Sequence, residues 1–357
     1  MSETLTSTST LKSESRHGWK RTLLGRDAVM IYALLVVVIY CSLGVNRFAS
    51  PTTVGFLLLD IIPTLLMAMP MTLILVTGEI DLSVASVAGL TCAVMGVLWT
   101  NPETQAHRLD IWAAIGLSLL VAMAAGAVNG VLIAFVGLPS LAVTIGTLAL
   151  FRGLALVVIG DNAVANFPTA FTEFASSKLG ATGIPTAMIM VAVVVVIFAI
   201  VLHFTPFGRG LYAMGFSKEA ATFVGINVLR SKFWLYLASG TVSGLAGVFW
   251  TLRYASARSD NAEGLEMMVI AAVLLGGVSA FGGKGSIPGA LAGVLLIGTI
   301  NYALKLGRIS DVVLITVTGV LLIVSVVTPS ITSAISARIH NIKTRKTMET
   351  ITHSTVA

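Results

Sequence analysis

A few ionisable residues lie in or beside long apolar stretches, where a charge needs a reason to be present. Only 11% of the 357 residues are charged, yet Asp60, Glu79, Asp81 and Arg152 fall at such positions. A charged side chain that faced lipid would cost several kcal/mol, so each should face protein or a water-filled path. Their chemistry is therefore either the pairing of helices or the passage of a solute or ion across a membrane.

Asp81 and Ser83 precede one apolar run, and two functions are open for each. Asp81 is either an N-cap or ion-pair partner that holds helices together, or a group on a transport path. Ser83 either caps the following helix or lines the same cavity. Other polar residues inside apolar runs are path candidates too, although each can equally make a helix–helix hydrogen bond or extend to the membrane surface. The predicted path candidates are Asp81, Ser83, Asn129, Thr144, Thr147 and Arg152.

Several other kinds of chemistry lack the residues that they need. The five histidines are scattered, without metal-ligand spacing or a Ser-His-Asp arrangement. Cys41 and Cys92 have no C-x-x-C spacing, which favours a packing role for both. The run Gly282–Ser286 resembles a phosphate loop, but Val278 occupies the position of the first required glycine. We therefore expect no catalytic residue, no metal and no cofactor, and any ATP hydrolysis must occur on a separate subunit.

The elements that position these residues are predicted to be transmembrane helices. Hydrophobic residues make up 56% of the chain and its mean hydropathy is +0.95. Uncharged stretches recur at close to the ~20 residues that cross a bilayer. The sequence thus predicts an all-α, polytopic bundle of about ten spans, with the first hydrophobic segment retained. The expected spans are 28–44, 57–77, 82–99, 111–136, 140–160, 185–204, 233–252, 264–281, 286–303 and 311–328.

The positions of Lys and Arg predict the orientation, because cytoplasmic loops accumulate them. Most of the 22 basic residues fall on one side if the N-terminus is inside. We therefore expect both termini in the cytoplasm, with tails at 1–27 and 329–357, a transmembrane domain at 28–328 and a cytoplasmic loop at about 205–232. Acidic clusters before the third and eighth spans indicate a five-plus-five inverted repeat. We therefore attribute the net charge of +6 to membrane topology and contact with membrane lipid. We expect no nucleic acid partner.

The loop at 205–232 is too polar to insert and contains good helix formers from Lys218 onward. Ser217 is predicted to be the N-cap of this short helix. Glycines flank the segment, which favours docking into another protein over lying on the membrane surface. An ordinary surface helix is the alternative.

At this loop the sequence resembles the permease family of binding-protein-dependent ABC importers. Glu219-Ala220-Ala221, followed by Gly225 after three residues, is similar to the coupling motif E-A-A-x-x-x-G of that family. The resemblance implies that the short helix sits in a cleft of an ATPase subunit. The residues expected to contribute to this coupling are Gly215, Glu219, Ala220, Ala221 and Gly225.

A second stretch, Gly78–Ser86, resembles the G-x-I-D-L-S-V-G-S motif of ribose-type sugar permeases. Glu79 and Ala85 depart from it at positions where glycine is common. Further matches extend the resemblance over about residues 54 to 328. Ser256–Asp260 looks most like the rhamnose and autoinducer-2 importing branch. The resemblance implies a sugar, deoxysugar or furanosyl signal as the substrate.

The resemblance also implies partners and a location. The chain would pair with a second permease subunit, itself or a homologue, in the bacterial inner membrane, and would receive substrate from a periplasmic substrate-binding protein. The loop at 161–183, with several aromatic residues, is predicted to help dock that protein. The main alternative is an ion-coupled secondary transporter that uses Asp60, Glu79, Asp81 and Arg152. A third is a membrane enzyme or receptor whose ligand site includes Asp260 and Glu263.

Overall fold

The computed structural model describes residues 26–104, 106–310, 312–324 and 327. The predicted tail at 329–357 and almost all of the one at 1–27 lie outside the described residues. Within the described part the regular structure is helical, and pairing of extended backbone is confined to three isolated bridges. The helices are α1 Arg26–Gly44, α2 Pro51–Val76, α3 Val84–Trp99, α4 Ile111–Ala134, α5 Ser140–Ile159, α6 Thr169–Ser176, α7 Met188–Phe204, α8 Pro206–Phe216, α9 Lys218–Phe223, α10 Val228–Tyr254, α11 Leu265–Leu275, α12 Ile287–Leu306 and α13 Val312–Val324.

The all-α membrane architecture is confirmed. Among the described residues, five helices are long and apolar enough to cross a membrane, or six if α7 and α8 form one bent span. Shorter apolar helices occupy other predicted spans, including α1, α3 and α11. Ten spans and the five-plus-five inverted repeat remain predictions.

The eighth predicted span is shorter than expected. The sequence favoured 264–281, but α11 ends at Leu275. Gly277 has a φ of +90°, a left-handed conformation that ends a helix. Gly276 lies so close to α12 that an added Cβ would stand 2.4 Å from the Gly289 carbonyl oxygen. The chain then turns through several glycines to Ser286, which caps α12 by accepting from the Gly289 N–H at 3.1 Å.

Helix α2 forms the centre of the bundle. In its most apolar stretch, 94% of the residues are buried. It packs against α7, α10, α11 and α12, and its buried side chains are mostly Leu, Ile and Met. Because lipid tails are as apolar as these side chains, close packing rather than the hydrophobic effect holds such helices together. α2 is thus the element on which the functional helices are fixed.

Helices α4 and α10 approach each other at glycines. A Cβ added to Gly126 would lie 2.9 Å from the Cα of Gly240 and 2.5 Å from the Tyr236 carbonyl oxygen. Any side chain there would push the helices apart. Close approach at small residues is typical of packed membrane helices.

The two ends of the bundle differ in what they carry. We call one the α9 end; it holds the loop 77–83, helices α8 and α9, and the turn 276–286. The other, the far end, holds α6 and the loop 255–264. Between α7 and α8 the axis bends by 68°, where Thr205 caps α8 by accepting from the Gly208 N–H at 3.1 Å. This bend carries the chain out to α8 and α9.

Candidate functional site

The site is built around the loop 77–83, which we call the acidic loop. It joins α2 to α3, and Gly78 opens it with a φ of +76°. Two helices hold its backbone from different sides. The N–H of Ile80 donates to Ser140 Oγ of α5 at 3.3 Å, and the Tyr236 hydroxyl of α10 donates to the Ile80 carbonyl at 3.2 Å. The loop is therefore fixed by the bundle.

Glu79 lies between two lysines. Its Oε1 is 2.7 Å from Lys218 Nζ of α9 and 2.6 Å from Lys232 Nζ of α10. Burial raises the pKa of Glu79, but the hydrogen bonds from both lysines outweigh that effect, so the pKa is held below its ordinary value. The carboxylate is thus ionised and links α9 to the acidic loop.

Asp81 is held by neutral groups instead. It accepts from the Ser83 N–H at 2.9 Å, from Ser83 Oγ at 2.6 Å and from Ser239 Oγ of α10 at 2.7 Å. Asn129 Nδ2 of α4 donates to Ser83 Oγ at 2.8 Å. Within the described residues no cation lies in ion-pair contact with Asp81. The result is a buried polar network that connects α3, α4 and α10.

Three of the predicted path residues therefore come together: Asp81, Ser83 and Asn129. Ser83 occupies the N-cap position of α3, but its hydroxyl accepts no cap hydrogen bond from the backbone; it donates to Asp81 and accepts from Asn129 instead. The Oδ1 atom of Asn129 is also buried here, and it has no hydrogen-bond partner.

The other three path candidates lie elsewhere. Thr144 and Thr147 donate to carbonyls of their own helix α5, the ordinary satisfaction of a buried threonine. Arg152 lies toward the far end, where its guanidinium donates to the carbonyls of Ser259 at 2.7 Å and Asn261 at 2.9 Å. It anchors the loop 255–264 and is not part of the acidic-loop site.

Several residues of the site do not stand out in the sequence. Lys232, Tyr236 and Ser239 all reach the acidic loop from α10. They are spaced i, i+4 and i+7, so they share one face of the helix. That polar stripe in an apolar span is the signal that could have found them. The fourth residue, Lys218, is paired with a carboxylate that precedes it by 139 positions, which no local pattern reveals.

Helix α9 forms as the sequence predicted. Ser217 Oγ accepts from the Ala220 N–H at 3.1 Å, which confirms the N-cap, and the same hydroxyl donates to Glu219 Oε2 at 2.9 Å. Gly225 follows the helix with a φ of +85°, the left-handed conformation that glycine adopts readily. The motif residues thus define the start and the end of one short helix.

The C-terminal end of α9 exposes large apolar side chains. Ala221 is buried against the bundle, whereas Ala220 and Glu219 are exposed. Phe223 is 91% exposed and Val224 is 75% exposed. Large apolar side chains this accessible, next to charged residues, are typical of a surface that binds another protein.

Gly215 joins three segments of backbone. The Gly283 N–H donates to the Val76 carbonyl at 2.8 Å, and Gly215 packs onto this pair. A Cβ at Gly215 would lie 2.1 Å from the Val76 oxygen and 2.3 Å from the Gly283 nitrogen. α8, the end of α2 and the turn before α12 therefore meet without an intervening side chain.

At the far end, the aromatic residues predicted to dock a binding protein are mostly engaged within the chain. Phe167 is buried and stacks on Trp99 with centroids 6.4 Å apart. Phe171 packs edge-on against Trp112 at 4.9 Å. Phe174 is 63% exposed and is the aromatic residue of this group best placed to contact a partner.

The described residues contain no group of three or more His, Cys, Asp or Glu side chains that could hold a metal ion. The site instead combines one ion-paired carboxylate, one hydroxyl-bound carboxylate and a short helix with an exposed apolar tip at one end of a helical bundle.

Comparisons with known proteins agree with this architecture. The model of the family described as "Branched-chain amino acid transport system / permease component" matches residues 53–326. The autoinducer 2 import system permease protein LsrD of Photorhabdus luminescens is 34% identical over 324 residues, covering 88% of this chain and 92% of the relative. LsrD of Escherichia coli strain K12 is 34% identical over 323 residues, covering 88% and 93%. No solved structure matches the chain.

Proposed function

The chain belongs to the family of branched-chain amino acid transport system permease components, and from this premise we propose how it works as the membrane-spanning subunit of an ATP-driven importer. As a permease component it moves a solute and is not itself an enzyme. The energy comes from a separate ATPase subunit that docks on the segment 205–232. The observation that carries this proposal is the exposed apolar tip of α9, connected to the acidic loop by Lys218.

The docking surface consists of α9 and the residues that follow it. Phe223 and Val224 offer apolar contact area, and Glu219 offers a charge beside it. The surface extends to Phe216 and Phe281, which are 72% and 80% exposed. An apolar centre with a polar rim is the usual anatomy of a protein interface. We infer that this patch, including Ala220 and Gly225, forms the contact with the ATPase. Ala221 and Gly215 contribute from beneath it, since they pack α9 and α8 against the bundle.

The ion pair between Lys218 and Glu79 provides the connection from that contact to the membrane. Lys218 directly precedes Glu219 on α9, and its side chain is 45% exposed. A movement of α9 therefore changes the distance between Lys218 and Glu79, two residues before Asp81. We propose that the Asp81, Ser83 and Asn129 network lies at the inner end of the translocation path and changes with the docking state.

The substrate that we propose is a sugar or a sugar-like molecule. The most informative support is that the relatives at 34% identity are named as permeases of autoinducer 2 import. The polar groups at the site are carboxylates, hydroxyls and an amide, which bind hydroxyl groups well. A periplasmic binding protein would deliver the substrate at the far end, and a second permease subunit would complete the path. We further propose that the chain lies in a bacterial inner membrane with both termini in the cytoplasm.

The proposal is tested by uncoupling the docking helix. In a reconstituted complex with its ATPase subunits, Glu219→Ala and Gly225→Val should lower substrate uptake per ATP hydrolysed, while the amount of protein in the membrane stays unchanged. Glu103→Ala is the matched control, since Glu103 is an exposed glutamate at the far end. Normal uptake in cells that lack every partner ATPase would contradict the importer function.

An ion-coupled secondary transporter is not favoured. Its proposed coupling residues do not form one site: Glu79 is paired with lysines, Asp81 is held by serines, and Arg152 binds carbonyls toward the far end. Family membership points the same way.

A further inference from the structure

The first turn of α12 is joined to the end of α7 by a histidine. The Ile287 backbone N–H donates to His203 Nε2 at 3.2 Å. His203 lies in the last turn of α7, beside the 68° bend between α7 and α8. Since an N–H is the donor, Nε2 must be unprotonated, and the neutral ring carries its hydrogen on Nδ1. Only a neutral histidine can make this contact.

The other N–H groups in this turn of α12 are satisfied within the helix or absent. Ser286 Oγ accepts from the Gly289 N–H at 3.1 Å. The Ser286 carbonyl accepts from the Ala290 N–H at 3.1 Å, and Pro288 has no N–H. Only the Ile287 N–H takes its acceptor from another helix. Because Ile287 is 1% exposed, loss of the imidazole acceptor would leave a buried donor unpaired.

The surroundings hold no negative charge that would stabilise a protonated His203. Among the described residues no carboxylate forms an ion pair with it, and its side chain is exposed. α7 packs against α2, α8 and α12. On α2 and α12 the ionisable residues lie toward the far end, at Asp60, Tyr302 and Lys305. At the α9 end, the ionisable residues of α8 and the turn 276–286 are Arg209, Tyr212 and Lys284.

We propose that the contact between His203 and Ile287 is a pH-sensitive latch that joins the bend after α7 to α12. Histidine changes its charge between about pH 5 and 8. Protonation places a second donor, Nε2–H, opposite the Ile287 N–H and brings a positive charge to a helix N-terminus, where the helix dipole disfavours it. The latch is therefore closed in the neutral part of this range and open in the acid part. The backbone junction at Gly215 contains no ionisable group and stays joined.

The position of the latch connects it to transport. The bend carries the chain out to α8 and α9, and α12 packs against α1, α2 and α11. An open latch removes one connection by which a movement of α8 reaches α12. Acid on the α9 side should therefore weaken the coupling between ATP hydrolysis and uptake. This consequence rests on the proposed function, whereas the latch itself does not.

Hydrogen exchange at the Ile287 amide tests the latch. The measured quantity is the protection factor, the slowing of exchange relative to an unfolded peptide at the same pH. In the intact complex without ATP, it should fall about tenfold between about pH 7.5 and about pH 5.5, the loss expected for one hydrogen bond. The Gly289 amide, which donates to Ser286 Oγ, is the control and should not change. A protection factor at Ile287 that is independent of pH in the wild type would overturn the proposal.

His203→Gln separates the titration from the packing. The glutamine oxygen can accept from the Ile287 N–H but gains no charge, so protection should stay high at both pH values. His203→Arg, which is always charged, should give low protection at both. Equal pH dependence of protection in the wild type and His203→Gln would overturn the latch.

Uptake by the reconstituted complex tests the consequence for transport. Uptake per ATP hydrolysed should fall several-fold in the wild type when the α9 side is acidified to about pH 5.5, and His203→Gln should lose this fall. A fall of equal size in the two proteins would overturn the role in coupling. Absence of ATP-driven uptake by the wild type would instead reject the proposed function, and exchange at the Ile287 amide would still decide the latch.

Discussion

Glu79 and Asp81 stand two positions apart in one loop, and the protein satisfies them in opposite ways. Both are buried, with 6% and 2% of their surface exposed. Glu79 is neutralised by two ammonium groups. Asp81 is held by one backbone N–H and two hydroxyls. The carboxylate of Glu79 is therefore stabilised by ion pairs, whereas that of Asp81 is stabilised by hydrogen bonds from neutral groups.

This difference shows which carboxylate depends on a movable element. Lys218 belongs to α9, the helix that we propose docks the ATPase, and its side chain is 45% exposed, so its contact with Glu79 can break and be replaced by water. The partners of Asp81 lie on α10 and at the start of α3, inside the bundle. Glu79 should therefore respond to docking, whereas the surroundings of Asp81 should persist.

The largest effect is expected from Lys232→Met. The Lys232 side chain is 13% exposed and that of Glu79 is 7% exposed, so the variant leaves a buried carboxylate with a single, half-exposed partner. We expect the free energy of unfolding to fall by about 3 kcal/mol, as for other broken buried pairs. Denaturant unfolding in detergent measures it. Lys218→Met is the control, and its free energy of unfolding should fall by less. An equal fall in the two variants would show that burial does not distinguish the two lysines.

Glu79→Gln should have the next largest effect. It removes the charge that holds both lysines, which costs about 2 kcal/mol for hydrogen bonds to charged groups. Because α9 then loses its link to the acidic loop, proteolysis or hydrogen exchange at α9 should also become faster. The double variant Glu79→Gln with Lys232→Met should be less destabilised than the sum of the two single changes. Additive losses would mean that the two residues do not interact.

Acid should reproduce part of the Glu79→Gln effect. The lowered pKa of Glu79 means that its contribution to stability is complete above its ordinary pKa of about 4.3 and is lost as the pH falls through the folded value. The unfolding temperature of the wild type should therefore drop below about pH 4 more than that of Glu79→Gln. Parallel curves for the two proteins would show that another group titrates there.

The smallest effect on stability is expected from Asp81→Asn. In asparagine the amide oxygen can accept from the Ser83 N–H and hydroxyl, and the amide NH2 can donate to Ser239 Oγ, because a hydroxyl accepts as well as donates. No cation loses its partner. The free energy of unfolding should change by less than about 1 kcal/mol. Uptake should nevertheless fall, since the proposed path loses a charge. A destabilisation larger than that of Glu79→Gln would overturn the comparison between the two carboxylates.

The sequence predicts the helices well wherever charges or prolines bound an apolar run. The span expected at 111–136 appears as Ile111–Ala134, and the one at 140–160 as Ser140–Ile159. The eighth span was too long in the prediction because glycines are neutral in a count of apolar residues. The structure shows why the helix ends there: Gly277 adopts a left-handed conformation and Gly276 packs against α12.

The site was less accessible to sequence reasoning. Asp81, Ser83 and Asn129 were selected because polar groups are rare in apolar spans, and the structure brings them together. The same criterion also selected Thr144, Thr147 and Arg152, which have local or far-end roles. Lys218 was missed because its contact with Glu79, 139 positions away, depends on how the helices pack. Ser239 was missed because the polar stripe on α10 was not used.

The junction at Gly215 has a mechanical consequence for transport. Side chains can absorb small displacements by changing rotamer, but this junction is made of backbone atoms and has no side chain that could yield. A push on α8 must therefore be shared at once by the C-terminal end of α2 and by the turn that leads into α12. The force of ATP hydrolysis would reach the central helix of the bundle as a rigid displacement rather than as a local rearrangement.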